Sequence, residues 1–142
     1  MSTSELYKDW EKLSEKVYRT RLENDRIIVY KVLDSSRQSV DAWADGILDL
    51  YKDWDPENLY LAVYDLSAVV ALSPYARKRT REIVDSSMHL QGRYGVVLSN
   101  SLVSFAINLF VRRELDRTNR NFIREFFATR EEAIEWLKQW ID

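Results

Sequence analysis

His89 is the only histidine in the 142 residues, and there is no cysteine. An imidazole general base therefore has one candidate. Asp85, Ser86 and Ser87 precede it, but no G-x-S-x-G elbow supplies an activated serine. Without thiols there is no cysteine nucleophile, thiolate metal site or disulfide, and one imidazole cannot make a His-pair metal site. The three glycines, Gly46, Gly92 and Gly95, cannot build a phosphate-cradling loop of either the G-x-x-x-x-G-K or the G-x-G-x-x-G kind. Adjacent carboxylates have local explanations. Glu131 and Glu132 belong to a helix cap, and Asp41, Asp45 and Asp49 recur every fourth residue on a solvated helix face. These exclusions predict a non-enzymatic protein that needs no cofactor and no metal and works by binding.

The stretch best placed to bind runs from Asp65 to Pro74, joining the carboxyl end of a predicted parallel strand to a helix N-terminus. Open α/β sheets receive ligands and partners at that edge. The first two turns of the helix hold Arg77, Lys78, Arg79 and Arg81, where the helix dipole ordinarily favours acids. An anionic partner surface or a phosphate would offset that arrangement. Ser67, Ser73, Tyr75, Arg77 and Lys78 are the candidate partner-binding residues. Over the whole chain, 21 basic residues face 23 acidic ones, but the signs are segregated. Acids dominate Ser39 to Asn58 and arginines dominate Tyr75 to Arg124. Such segregation suits steering of a charged partner or head-to-tail docking of two copies, and it equally suits two solvated helix faces. With a net charge of −2 and tryptophans at core-facing spacings, a nucleic-acid partner is not expected.

The elements that must position these residues follow from periodicity. Leu6, Trp10, Leu13 and Val17 recur at helical spacing behind Thr3 and Ser4, which predicts an N-terminal amphipathic helix over residues 1–15. Residues 16–142 form the domain proper. Val17 to Leu22 and Ile27 to Leu33 are β-branched and aromatic-rich, and Asn24-Asp25 between them tolerates positive φ, so a β-hairpin is expected. Ser39 can cap a helix whose Val40, Trp43, Ala44, Ile47, Leu48 and Tyr51 share one face. Leu59 to Tyr64 reads as a strand covered on both sides. Ser73-Pro74 opens a helix that buries Tyr75, Ile83, Val84 and Met88. Tyr94 to Leu98 and Phe122 to Phe127 read as strands, and Thr129 to Glu132 is a capping box for the closing helix. The result is an α/β domain with a mixed four- or five-stranded sheet, its later strands parallel.

A helix from Leu102 to about Arg117 is predicted between the last two strands, apolar over most of its circumference near Leu102 to Val111. Phe105, Leu109 and Phe110 thus form a candidate dimer or ligand face, covered by the N-terminal helix or by a second subunit in a homodimer. No apolar stretch reaches the length of a membrane span, and Met1 to Leu13 lacks the layout of a secretory leader, so a soluble cytoplasmic protein is expected.

Asp65-Leu66-Ser67-Ala68-Val69, then Leu72-Ser73 and a helix start, resembles the STAS domain of sulfate transporters and anti-sigma-factor antagonists. The hairpin start, the element order and the ending Arg124-Glu125-Phe126-Phe127, Glu132-Ala133, Trp136-Leu137 resemble its SpoIIAA-like branch over roughly Val17 to Trp140. The resemblance implies a regulatory domain that binds a protein such as an anti-sigma kinase or another regulator. In antagonists the loop carries Asp-Ser-x-Gly, whose serine is phosphorylated. Those positions are Ser73, Pro74 and Ala76 here, which leaves Ser73 as the candidate phosphorylation site and implies that the usual switch is missing. Some related domains resemble lipid-binding modules. The alternative expectation is accordingly a small-molecule or lipid-binding module, with its ligand between the Leu102–Val111 helix and the sheet.

Overall fold

β3 (Ile27–Val32) lies at the turning point of a mixed sheet: it pairs antiparallel with the strand before it and parallel with the strand after it. The computed structural model of the chain describes residues 3–99, 109, 113 and 121–141. Among these the elements are α1 (Thr3–Leu6), β1 (Glu11–Ser14), β2 (Val17–Leu22), β3, α2 (Arg37–Asp53), β4 (Tyr60–Asp65), α3 (Pro74–Ser86), β5 (Gly92–Val97), β6 (Phe122–Phe127) and α4 (Arg130–Leu137), followed by a 3-10 turn (Lys138–Trp140). The sheet follows chain order, β1-β2-β3-β4-β5-β6. β1 to β3 are antiparallel and β3 to β6 are parallel.

The predicted hairpin is present with the expected strands. Its turn places Glu23, Asn24 and Asp25 at φ of 54°, 58° and 65°. Asn and Asp occupy that left-handed region readily, but Glu23 does so at a steric cost.

Two expectations are corrected. Among the described residues the sheet has six strands rather than four or five, and the extra strand comes out of the predicted N-terminal helix, which shrinks to Thr3–Leu6. A backbone bond from Trp10 N to Tyr7 O turns the chain, and Glu11–Ser14 then pairs with β2. Trp10 packs with the cluster on one sheet face, whereas Leu13 packs with the cluster on the other. A single apolar helix stripe cannot serve both faces, but the sides of a sheet can.

α2 and α3 cover one face, over Ile28, Tyr30, Ala62, Tyr64, Tyr94 and Val96. α4 covers the other, over Ile27, Val29, Leu61, Val63 and Val97. Every residue of β3 and β4 is buried, as their near-continuous apolar runs require of strands sandwiched between helices. Gly46 lets α2 approach the sheet: a Cβ there would sit 3.2 Å from Leu13 Cδ1.

Helix ends follow their local chemistry. Ser73 caps α3 and Pro74 fills its first turn, as predicted. Thr129 caps α4 by accepting from Glu132 N. The cap of α2 is Ser36 instead of Ser39, because Ser36 Oγ accepts from Ser39 N while Ser39 Oγ donates to Asp34 at 2.5 Å. Met88, expected to be buried, is 53% exposed, since it lies past the last turn of α3. The predicted helix from Leu102 falls largely outside the described residues, with Phe105 and Phe110, while Leu109 is half-exposed.

Candidate functional site

Asp65 ends β4, and its carboxylate is buried where the parallel strands terminate. Two cations flank it. Lys31 Nζ of β3 lies 3.4 Å from Oδ2, and Arg130 Nε, from the first turn of α4, lies 3.1 Å from the same oxygen. Oδ1 accepts from the Ser67 amide at 3.1 Å and from the Ser67 hydroxyl at 2.6 Å. Ser67 Oγ in turn accepts from Lys31 Nζ at 3.1 Å. A buried carboxylate is tolerated only with such partners. Arg130 stacks over Trp10, 5.2 Å from its ring centroid. Tyr7 packs against Trp10 and stacks on Tyr18, and burial pushes its hydroxyl pKa upward. The N-terminal segment therefore roofs the cluster.

In this arrangement Ser67 is not an activated nucleophile. Its hydroxyl proton points to a carboxylate that two cations already neutralise, and the lysine beside it is ion-paired instead of acting as a base. The group ties the first turn of the β4–α3 loop to the sheet. Lys31 and Arg130 were missed from the sequence. A lysine inside the apolar run Ile27-Ile28-Val29-Tyr30-Lys31-Val32 was the available signal, because a charge buried on a central strand demands a partner.

A second cluster joins the acidic face of α2 to the basic start of α3. Arg79 Nη1 donates to Asp41 at 2.8 Å and Nη2 to Asp45 at 2.6 Å, and Nε lies 2.9 Å from Glu82. The Tyr75 hydroxyl donates to the same Asp41 oxygen, and Arg37 lies over the Tyr75 ring at 4.2 Å. Tyr75 holds the Asp41 carboxyl below the ordinary carboxylate range, with Arg79 adding to the effect. Part of the charge segregation thus closes on itself within one chain.

The five residues singled out at this edge separate into two groups. Ser67 and Tyr75 are bonded inward, and Ser73 Oγ accepts from Ala76 N at 3.0 Å. Arg77 and Lys78 are exposed on the first turns of α3. Val70, in the β4–α3 loop that leads into this helix, is 77% exposed.

Beneath the same edge, an apolar cavity of about 100 Å³ lies between the sheet and α2 and α3. Trp43, Tyr64, Tyr94, Val96 and Ile83 line it, with Leu66, Val69 and Leu72 of the β4–α3 loop. It occupies the α2–α3 side of the sheet.

His89 is exposed, and Nε2 lies 3.4 Å from the Tyr51 carbonyl. No group of three or more His, Asp or Glu among the described residues could hold a metal ion. No helix among them is long and apolar enough to cross a membrane. No protein-family model and no curated protein sequence matches the chain.

Proposed function

We propose that this chain is a non-enzymatic regulatory domain that docks an acidic protein partner on the edge formed by Val70, Arg77 and Lys78. The reading rests on one observation: Val70, at 77% exposure, sits in the loop that precedes two exposed cations at a helix start. An exposed apolar side chain in a loop that leads into exposed cations is the composition of a docking patch, and acidic groups opposite would also satisfy the helix dipole. The resemblance to anti-sigma-factor antagonists supports the same reading. Phosphorylation of Ser73 would place a dianion at this helix end and largely cancel the charge of Arg77 and Lys78.

The test uses the full chain as bait, alongside Arg77→Glu/Lys78→Glu and Val70→Asp variants whose folding is checked by circular dichroism. A partner bound through this edge is lost by both variants and weakens as salt rises. If the partners retained by the native chain bind both variants at full affinity, the reading is wrong.

A further inference from the structure

We propose that the cavity between the sheet and α2 and α3 is a binding site for a compact, neutral aromatic molecule that carries a hydrogen-bond acceptor. At about 100 Å³ it exceeds what a single water needs, yet its wall offers few free polar groups to hold water in place. Filling it with an apolar group is the favourable way to recover the missing contacts.

The lining specifies an aromatic ring. Trp43 meets Tyr64 edge-on, with centroids 5.8 Å apart at 86°; Tyr64 lies 5.3 Å from Tyr94, and Tyr94 lies 6.2 Å from Phe122. All four line the cavity. A further ring would extend an aromatic array already in place, edge-on between Trp43 and Tyr64 and tilted beyond them. The volume of about 100 Å³ suits one or two fused rings better than a long acyl chain.

The polar atoms specify the acceptor. Thr80 Oγ1 donates to the Ala76 carbonyl at 2.8 Å, and Ser87 Oγ to the Val84 carbonyl at 2.7 Å. The Tyr64 hydroxyl is paired with that of Tyr60 at 3.1 Å. The Trp43 indole N–H differs: it is buried and has no hydrogen-bond partner among the described residues. Indole only donates, so the group that satisfies it must accept. Asp34, also in the lining, accepts from Ser36 and Ser39, and its carboxylate would repel an anionic ligand. The apolar wall would desolvate a charge of either sign, so the ligand is neutral.

The experiment titrates the ¹⁵N-labelled full chain with acetophenone, toluene or decanoate and follows the Trp43 indole cross-peak. Acetophenone, a ring with a carbonyl acceptor, is expected to give a saturable shift of that peak. Toluene, which lacks the acceptor, is expected to bind about five- to tenfold more weakly, the worth of one buried hydrogen bond. Trp43→Phe should remove the difference between the two, and Ala76→Leu, which fills the cavity from α3, should abolish binding of both. No saturable shift with acetophenone overturns the proposal, and so does equal affinity for toluene and acetophenone in the native chain. Tighter binding of decanoate than of either ring would make the cavity an acyl-chain site and overturn it as well. The comparison of ligands in the native chain stands even if Trp43→Phe fails to fold.

Discussion

Lys31 and Asp65 are direct neighbours in the parallel register of β3 and β4, and their side chains meet with Nζ 3.4 Å from Oδ2. Both are buried, so the pair is sealed by the register itself. Arg130 approaches the same oxygen from α4, which locks helix, loop and sheet to one carboxylate.

Removing that carboxylate strands two cations. Asp65→Ala is expected to cost about 3–5 kcal/mol in urea unfolding, as for other buried pairs that lose one member. Lys31→Met/Asp65→Leu should retain much more stability, because Arg130 is part-exposed and can turn to water. A double variant as unstable as the single one would show that the charge is not what the site requires.

The α2–α3 clamp makes stability depend on acid. The folded-state pKa of Asp41 lies below its unfolded value. Its contribution is complete above the unfolded value and is lost as pH falls through the folded one. Tyr75→Phe should move the Asp41 titration, followed by carboxyl ¹³C shifts, up toward the ordinary value. Arg79→Met should cost only about 1 kcal/mol, since its carboxylate partners are part-exposed. An unchanged Asp41 titration in Tyr75→Phe would refute this account.

Alkali should act through the aromatic core. Burial raises the hydroxyl pKa of Tyr30, Tyr51, Tyr60 and Tyr64. For an acid raised on folding, stability is complete below the unfolded value, near 10, and falls as pH climbs above it. Absorbance at 295 nm should show these four of the eight tyrosines ionising only together with loss of the circular dichroism signal. Reversible ionisation of all eight in the folded chain would contradict the packing described.

Gly92 and Gly95 are predicted to be intolerant of a methyl group for reasons of space. A Cβ on Gly92 would lie 2.6 Å from the Phe122 ring and 2.9 Å from the Tyr60 carbonyl, and one on Gly95 would lie 2.9 Å from Ala133 Cβ. Each alanine variant should lose about 1–3 kcal/mol. Gly92→Ala should lose more, because a backbone oxygen in the sheet cannot swing aside. Thermal melts with Gly92→Ala at native stability would be the contrary result.

What could be read from the residues alone was what neighbours in sequence decide. The hairpin, the Ser73-Pro74 start and the Thr129 cap each rest on contacts within a few residues, and each is present. β1 was hidden because Leu6, Trp10 and Leu13 satisfy helical spacing equally well, and only pairing with β2 distinguishes the two. The Lys31–Asp65–Arg130 cluster joins three elements far apart in the chain, so no local pattern could assemble it. Arg77 and Lys78 were legible as exposed cations. The inward bonding of Tyr75 was not, because its partner Asp41 belongs to another helix. The cavity was beyond reach, since it depends on how closely α2 and α3 settle on the sheet.

The chain-order arrangement of the sheet also governs how the protein can be made. Each strand hydrogen-bonds to the one synthesised just before it, so a chain emerging from the ribosome can extend its sheet one strand at a time. No strand has to wait for a later one to be inserted beside it. Pairing each strand with its predecessor keeps the loop to be closed at every addition as short as the chain allows. Growth can therefore proceed in a single direction, from the hairpin toward the carboxyl terminus, with the newest strand always at the edge.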